Sequence, residues 1–425
     1  MQFSVREVLT FLCSVLDGGA ALRSTAAVFE IFVQHWDLPA EGPHWTTGRM
    51  WLLRVGLYKL TRPKTRADDW VWIADHTVQI GADKCLAVLG IRLSELPPAG
   101  TCLTLSDLEL LHLQPMPKSN STLVHQQLEA VAEKTGVPRL ILDDHGSDLH
   151  GGVKLFCRQH PHTSEIYDIT HKAARLLKSL LEADPTWSCF CTQAGQTKFQ
   201  TQQTELAFLV PPSQRSKARY MNLGPLVQWG RRTREIVESP SAVVLQWCRR
   251  ERLEEKFGWL REYGDSLTRW AEWLELVTVA EQMVRREGLS ASTLARLRQQ
   301  LTPLATTGSG VRLAGELLAF VAEQCRVVRG DERLVGTTEP LECAFGKLKS
   351  LERTQAKTGF TSLLLSLGAV VGQTTGELVH RALEACRTKH VWSWCQQHLG
   401  PTLRSQRQLA YAEDKKSDEI PPPST

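Results

Sequence analysis

The sequence predicts an α/β protein in which short helices precede a strand-rich core and a long helical segment interrupts that core. Three observations support this class. Apolar and β-branched residues follow a strand pattern between Asp69 and Leu113. Helical and strand patterns then alternate as far as about residue 184. Beyond Pro185 the strand signals become sparse, and 425 residues are too many for one ordinary core.

The first sixty residues show helical patterns. Apolar residues recur at helical spacing in "SVREVLTFLCSVL" and "STAAVFEIFVQHW". A third pattern, "HWTTGRMWLLRVGLYKL", offers Thr46 and Thr47 as N-caps and alternates arginines with apolar residues, as the recognition helix of a helix-turn-helix does. Residues 1–67 are therefore predicted to form an N-terminal helical DNA-binding domain, with a plain helical bundle as the alternative.

Strands and helices alternate in the next segment. "WVWIADHTVQI" and "KCLAVLGIRL" are separated by "GAD" and predict a hairpin, and "TCLTLSDLELLHL" contains a third strand. "STLVHQQLEAVAEKTG" predicts a helix with Gly136 as its C-cap. "VPRLILDDHGSDL" reads as a buried strand entering a loop, and "SEIYDITHKAARLLKSLLEAD" as a strand followed by a helix. Residues 68–184 form the first part of the core.

The rest of the chain is helical in pattern. Residues 185–335 are predicted to be a helical insertion domain, and residues 336–400 the last part of the core. The charged, proline-rich tail 401–425 is predicted to be disordered. Tryptophans are spaced through the insertion, and we interpret them as core residues. The alternative is that Trp259, Trp270 and Trp273 stack on an unpaired base.

The composition excludes an integral membrane protein. Hydrophobic residues make up 42% of the chain and charged residues 23%, and no apolar run is long enough to cross a bilayer. The N-terminal stretch lacks the basic-then-apolar layout of a secretion signal, so a cytoplasmic location is expected. The 11 cysteines are scattered and form no CxxC pair, so free thiols are predicted.

Two basic zones suggest a polyanionic partner. The net charge is only +4, but the segment from Arg49 to Arg66 has six basic residues and no acidic one. The segment from Ser213 to Glu262 has eleven basic and six acidic residues. Two separate zones of this kind favour a long polyanion. The alternative is that each zone is a solvated helix face.

Three carboxylates stand in contexts that core packing does not require. Asp75 lies inside an apolar strand pattern, where an unpaired carboxylate is costly unless a donor or cation accompanies it. Asp144 ends a strand two residues before Gly146, which permits a sharp turn. Glu342 lies on a predicted helix, on the face that also carries Gly346 and Lys349 and away from the apolar face. This arrangement suits a carboxylate that holds a cation beside a phosphate backbone.

The order of elements and these three segments resemble the DDE transposases of bacterial insertion sequences, which have a ribonuclease H-like core. "DHGSDL" from Asp144 matches the D-x-G-S-x-L/F context of the second catalytic Asp. "LECAFGKLK" resembles the E-S-x-F-G-K-x-K helix of some of these enzymes, with Cys343 where serine is usual. The resemblance covers about residues 68–178 and 336–375.

The resemblance implies a DNA transposase that binds the terminal inverted repeats of its element, cleaves DNA and transfers strands. Two Mg²⁺ ions, which Mn²⁺ could replace, would be held by Asp75, Asp144 and Glu342. Asp143 and Asp148 are rival second ligands, and Asp144 is favoured because it lies two residues before Gly146. Asp148 and Asp168 are candidates for groups that support the ligands.

The resemblance also implies partners. They are double-stranded DNA, both element ends and target, and further copies of the chain, since synapsis of two ends needs at least a dimer. In a bacterial cell the DNA-bound protein would be associated with the nucleoid. The candidate DNA-binding residues are basic and come from both zones and from the helix of Glu342: Arg49, Arg54, Lys59, Arg231, Arg232, Lys347 and Lys349.

Other interpretations remain open at this point. Asp75 could pair with a lysine of its own hairpin, and Glu342 could be a first-turn acid that complements the helix dipole. The whole chain could be a catalytically silent, domesticated DNA-binding protein, or a metal-dependent nuclease with the same core. A non-enzymatic helical scaffold is the remaining alternative.

Overall fold

The structure is a computed structural model that describes residues 3–36, 41–78, 83–214, 223–353, 360–401 and 403–417. The chain divides into two compact units. Unit 1 comprises Met1–Ile166 and Thr338–Thr425, and unit 2 comprises Tyr167–Thr337. The predicted boundary at residue 67 is therefore not a division between the units, whereas the predicted insertion 185–335 lies within unit 2.

The core of unit 1 is a mixed sheet of five strands. They are β1 (Trp70–Val78), β2 (Lys84–Arg92), β3 (Glu109–Met116), β4 (Leu140–Asp143) and β5 (Ser164–Tyr167). Their order in the sheet is β3-β2-β1-β4-β5. The pairs β1–β2 and β2–β3 are antiparallel, and β1–β4 is parallel. This mixed α/β sheet with helices around it confirms the predicted ribonuclease H-like fold class.

The helices were largely foreseen, although their bounds were not. In chain order they are α1 (Val5–Leu16), α2 (Leu22–His35), α3 (Trp45–Thr61), α4 (Ser121–Thr135), α5 (Ser147–Gln159), α6 (Ile169–Glu182), α7 (Pro185–Thr201), α8 (Leu223–Glu238), α9 (Ala242–Trp247), α10 (Arg250–Phe257), α11 (Gly264–Glu287), α12 (Thr293–Leu301), α13 (Gly308–Cys325), α14 (Glu339–Arg353), α15 (Ser366–Val370), α16 (Gly376–Ala385), α17 (Thr388–His398) and α18 (Leu403–Ser417).

One face of the sheet is covered by α4 and α5. Trp72 and Ala74 of β1 and Ile141 of β4 are fully buried there against Phe156 and other apolar residues of these helices. Successive side chains of a strand point to opposite faces. The intervening residues of β1 and β4 therefore face the other side of the sheet.

Helix α5 is an element that the sequence pattern did not predict. Its sequence contains Gly151 and Gly152, which are unfavourable in a helix interior. The structure gives a reason for them, because a Cβ on Gly151 would lie 2.1 Å from the Ser121 hydroxyl and one on Gly152 would lie 2.5 Å from the Val124 side chain. The two glycines thus allow α4 and α5 to approach closely.

The interpretation of α3 as a recognition helix is wrong. Its buried residues, which include Trp51, Val55 and Lys59, are distributed around the helix rather than along one stripe. It contacts α1, α2, α15 and α16, so it lacks the exposed face that must enter a DNA groove. The N-cap is also not a threonine, since His44 caps the helix through a bond from the Thr46 N–H.

The predicted disorder of the tail 401–425 is also contradicted in part. Residues Leu403–Ser417 form α18, and residues 418–425 lie outside the described part of the chain. No helix of the described ranges is both long and apolar enough to span a membrane. All eleven cysteines are free, as predicted.

Unit 2 is helical within the described residues, apart from an antiparallel bridge between Leu289 and Leu334. The tryptophans named as candidates for base stacking make hydrogen bonds within unit 2. The Trp270 ring is buried and its N–H bonds Asp184 at 2.9 Å, and the Trp273 N–H bonds Ser309 at 3.2 Å. The Trp259 N–H bonds Thr197 at 3.1 Å. These contacts favour the core interpretation.

Candidate active site

Asp75 lies within β1, and Asp144 directly follows the adjacent parallel strand β4. The register of β1 and β4 pairs Val71 with Leu140 and Ile73 with Leu142. Continued by two residues, the same register brings Asp75 level with Asp144, on strands about 4.8 Å apart. By this continuation, both residues belong to the sheet face opposite α4 and α5.

The Asp144 carboxylate is oriented by the turn that follows β4. Its Oδ1 accepts a hydrogen bond from the Gly146 N–H at 2.8 Å. The residue between them, His145, has a φ of 57°, in the left-handed region. A Cβ on Gly146 would lie only 3.1 Å from Asp144 Oδ1, so the glycine leaves room for the carboxylate in this position. The glycine of the D-x-G part of the motif therefore holds the Asp144 carboxylate in position and leaves space for it.

The alternation of strand side chains separates Asp144 from its neighbour Asp143. Asp143 follows Ile141 by two residues and therefore faces α4 and α5, whereas Asp75 and Asp144 belong to the opposite face. This difference favours Asp144 over Asp143 as the partner of Asp75. Asp143 is completely buried, and burial raises its pKa to about 8, with the nearby Glu165 carboxyl adding to the effect.

Glu342 lies in the first turn of α14, a helix that contacts β1. The apolar face of this helix is as predicted, with Leu341, Ala344, Phe345 and Leu348 buried. Glu342 is half-buried, and the helix beside it carries Gly346, whose Cβ position has no atom within 4 Å. The backbone N–H of Glu342 donates to the Thr338 carbonyl oxygen at 3.2 Å, so Thr338 lies directly before the first turn of α14.

The common metal site of Asp75, Asp144 and Glu342 stays a prediction. In the described part of the chain, the group of acidic, His or Cys ligand atoms within 4.8 Å of one another is a different one, formed by Asp143, His145, His150 and Glu165. Sequence reasoning missed the two histidines and Glu165. Their signal was the pair of histidines in "DDHGSDLH", which a strand-to-helix turn brings back beside β4.

The hairpin lysine that was the alternative partner for Asp75 makes an ion pair with another carboxylate. Lys84, at the start of β2, forms its ion pair with Asp148 at 2.7 Å. This contact and a hydrogen bond from Ser119 lower the pKa of Asp148 to about 2, against the opposing effect of burial. Asp148 therefore has a structural partner on β2.

Asp168 caps a helix in unit 2. Its carboxylate accepts a bond from the His171 N–H at 3.0 Å and contacts the His171 ring at 2.6 Å, at the start of α6. Asp168 is completely buried. Its role as a support for the metal ligands of unit 1 stays a prediction.

Three DNA-binding candidates of the first basic zone make internal contacts, and the burial of one of them, Lys59, corrects the prediction for that residue. Lys59 is buried, and its ammonium donates to the carbonyls of Val371 and Gly372 at 2.8 and 2.9 Å. Arg54 donates to the carbonyl of Cys386 at 2.5 Å and to that of Leu383, at the end of α16. Arg49 donates to Ser362 at 2.7 Å. These contacts stabilise the packing of unit 1, and the ammonium of Lys59 is not accessible to a phosphate. Arg49 and Arg54 are half-buried, and their contact with DNA stays a prediction.

The other basic candidates are on the surface. Arg231 and Arg232 are exposed on α8, and Lys347 and Lys349 are exposed on α14, where Lys347 also reaches the carbonyl of Leu16 at 3.3 Å. Their predicted contact with DNA stays a prediction. Three further basic residues of the second zone, Arg215, Lys217 and Arg219, lie outside the described residues.

Comparisons with known proteins give little further information. No family model matches the chain. No curated protein matches it. Among solved structures, a chain of the Drosophila P element transposase strand transfer complex aligns with a TM-score of 0.42 and 10% sequence identity. The alignment covers 89% of this chain and 93% of that chain. A likeness of this strength carries no argument about function, so the function must be argued from the residues themselves.

Proposed function

We propose that this chain is a Mg²⁺-dependent DNA transposase that cleaves DNA at the ends of its element and joins those ends to target DNA. The observation that supports the proposal is the register of the parallel pair β1–β4, which, continued past Leu142, brings Asp75 of β1 level with Asp144 directly after β4, while the helix of Glu342 contacts β1. Descent from a bacterial insertion sequence, the DNA partners and a dimeric or larger assembly are parts of the same proposal.

The donor set fits a hard divalent cation. All three groups are carboxylates, and Mg²⁺ prefers oxygen ligands while it retains part of its water. The carboxylate of Asp144 is held by the Gly146 N–H, and Oδ1 of Asp75 accepts the N–H of His76 at 2.6 Å. Asp75, Asp144 and Glu342 are also all half-buried rather than enclosed, which leaves access for water and for a phosphate.

The chemistry proposed here is an in-line displacement at phosphorus. Mg²⁺ held by these three carboxylates would lower the pKa of a water or 3′-hydroxyl nucleophile and would offset the charge on the leaving oxygen. Asp75, Asp144 and Glu342 bind and position the reacting groups, and none of them forms a covalent bond to DNA. When water attacks, one P–O bond forms and the bond to the 3′ oxygen breaks, which leaves a 3′-hydroxyl. That hydroxyl is the nucleophile of the joining step.

The proposal is tested with the purified full chain and a labelled duplex that carries the DNA flanking its gene. With Mg²⁺ or Mn²⁺ present, we expect cleaved duplex and covalent joining of the label to a supercoiled plasmid. Asp75→Asn, Asp144→Asn and Glu342→Gln should each reduce both products by at least roughly a thousandfold, because each removes one ligand of the reacting centre.

The control variant is Glu377→Gln, which neutralises an exposed acid on α16 that pairs with Arg381. It should retain full activity. Products that persist in the Asp75→Asn and Glu342→Gln proteins would overturn the proposal. Cleavage without joining would instead indicate a nuclease, and DNA binding without either product a domesticated DNA-binding protein.

A further inference from the structure

The side of β4 opposite Asp144 carries a second cluster of potential metal ligands. Its members come from the end of β4, the turn after it, the first turn of α5 and the neighbouring strand β5. The geometry points to a second metal site, for a divalent transition metal such as Zn²⁺, formed by Asp143, His145, His150 and Glu165. This site is distinct from the three carboxylates of the proposed active site.

The separations of the ligand atoms match the size of such an ion. Tetrahedral Zn²⁺ with bonds of about 2.1 Å places its ligand atoms about 3.4 Å apart. His145 Nε2 lies 3.5 Å from Glu165 Oε1 and 3.9 Å from Asp143 Oδ1. His150 Nδ1 and Glu165 Oε1 are in direct hydrogen-bond contact, which the ion would replace. The whole set falls within 4.8 Å.

The buried carboxylate of Asp143 is a second and independent indication. The side chain is completely buried, and its Oδ2 is enclosed and receives no hydrogen bond from a conventional donor. In the absence of a cation, the neighbouring group of the Asp143 carboxylate is the Glu165 carboxyl, and the two can share a proton. Burying an unsatisfied carboxylate oxygen costs free energy. A bound cation would offset this cost, which the packing around Asp143 does not.

The ligand types favour a transition metal over Mg²⁺. Two imidazoles and two carboxylates are a nitrogen and oxygen set that suits Zn²⁺, whereas Mg²⁺ prefers oxygen. The ring centroids of His145 and His150 are 3.9 Å apart, so both imidazoles are close enough to bind the same ion. Lys154 lies one turn after His150 on α5 and brings one positive charge close to Glu165. The two carboxylates carry two negative charges, so the site still favours a cation.

The ion would also act on the turn that carries Asp144. Asp144 lies between Asp143 and His145, and both neighbours would be held by the metal. The loop would then keep its left-handed residue, His145, and with it the Asp144 carboxylate, in place. This consequence rests on the proposed function, whereas metal binding itself does not.

The test is metal binding by the chelator-treated full chain, without DNA. Titration calorimetry with Zn²⁺ should give one equivalent of tight binding, and Co²⁺ should give a visible spectrum without the near-ultraviolet absorption of thiolate ligands. His150→Ala and Glu165→Gln should weaken binding at least a hundredfold. His145→Ala, in the turn, gives a third variant whose fold, like that of the others, is checked by circular dichroism.

His160→Ala is the matched control, because His160 pairs with Glu129 at 2.9 Å at the opposite, C-terminal end of α5 and is not one of the four proposed ligands. It should bind the metal as the wild type does, and so should Asp75→Asn and Glu342→Gln. Binding that is lost in those two carboxylate variants, thiolate absorption, or no stoichiometric binding would each overturn the inference. Since Asp75→Asn abolishes only the proposed cleavage, failure of one proposal leaves the other standing.

Discussion

Gly56 and Gly368 lie where α3 passes α15, and the backbone of Gly56 packs directly against Gly368. A Cβ on Gly56 would lie 1.8 Å from the carbonyl oxygen of Leu365, and one on Gly368 would lie 2.4 Å from the carbonyl oxygen of Gly56. The atoms in the way belong to the backbone and cannot rotate aside. Close packing at this crossing therefore depends on the absence of both side chains.

We predict that Gly56→Ala destabilises unit 1 by about 2–4 kcal/mol, because overpacking forces the two segments apart. Denaturant unfolding followed by circular dichroism measures the change. The matched control is Gly315→Ala in α13, where the added Cβ meets no atom within 4 Å. That substitution should raise stability by up to about 1 kcal/mol, since alanine is favoured in a helix interior. Equal effects of the two substitutions would contradict the steric explanation.

Lys59 should make the stability of unit 1 depend on pH above neutrality. Burial, aided by nearby Arg62 and Lys64, lowers the pKa of Lys59 from 10.5 to about 7. Between these values the unfolded chain binds more protons at this group than the folded chain does. Stability therefore rises with pH from about 7 to 10.5, by at most about 1.4 kcal/mol per pH unit, and this contribution is constant outside that window.

The measurement is the difference in unfolding free energy between wild type and Lys59→Met, taken across this pH range. Methionine retains much of the buried stem but has no titrating group. The difference should grow in favour of the wild type as pH rises. A difference that stays constant with pH would show that Lys59 keeps its charge throughout.

Gly146→Ala should impair catalysis more than it impairs folding. The added Cβ would lie 3.1 Å from Asp144 Oδ1, so the carboxylate must move by a few tenths of an ångström. On the proposed function, misplacing a metal ligand lowers the cleavage rate roughly tenfold. Single-turnover cleavage and thermal unfolding measure the two effects. Ser147→Ala, at the next and exposed position, is the control; equal rates in both variants would argue against a positioning role for Gly146.

Arg231 and Arg232 should contribute to binding of the DNA backbone. Both are exposed on α8. Replacing both by alanine should reduce the slope of log affinity against log salt concentration by about 1.8, since each phosphate contact contributes roughly 0.9. Fluorescence anisotropy with a generic duplex measures this slope. Replacing both by lysine keeps the charge and should keep the slope, and an unchanged slope in the alanine variant would place the DNA elsewhere.

Local patterns were enough to predict most strands and the amphipathic helix α14, because a period of two or of 3.6 residues reflects one buried face. They failed where the reason for a residue lies far away in the chain. Helix α5 was not predicted, because Gly151 and Gly152 are unfavourable in a helix and the reason for them, close contact with Ser121 and Val124, lies on α4. Arg54 and Lys59 resembled a DNA-binding pattern, but their acceptors are backbone carbonyls more than 300 residues later.

In the candidate site, too, residues whose partners are distant in the sequence could not be predicted. The motif around Asp144 could be recognised because Gly146 is needed within two residues. The His145, His150 and Glu165 cluster could not, because it exists only once β5 lies beside β4. A strand-to-helix turn with two histidines becomes informative only when the neighbouring strand is known.

The contacts of Lys59 also bear on the order in which the chain can fold as it is synthesised. The acceptors of Lys59 and Arg54 lie at residues 369–386, so the N-terminal helices must wait for almost the whole chain to leave the ribosome. Unit 2 is continuous from Tyr167 to Thr337 and needs no later residue. The middle of this protein can therefore fold before its beginning does, and the apolar surfaces of the first three helices are exposed to chaperones for most of translation.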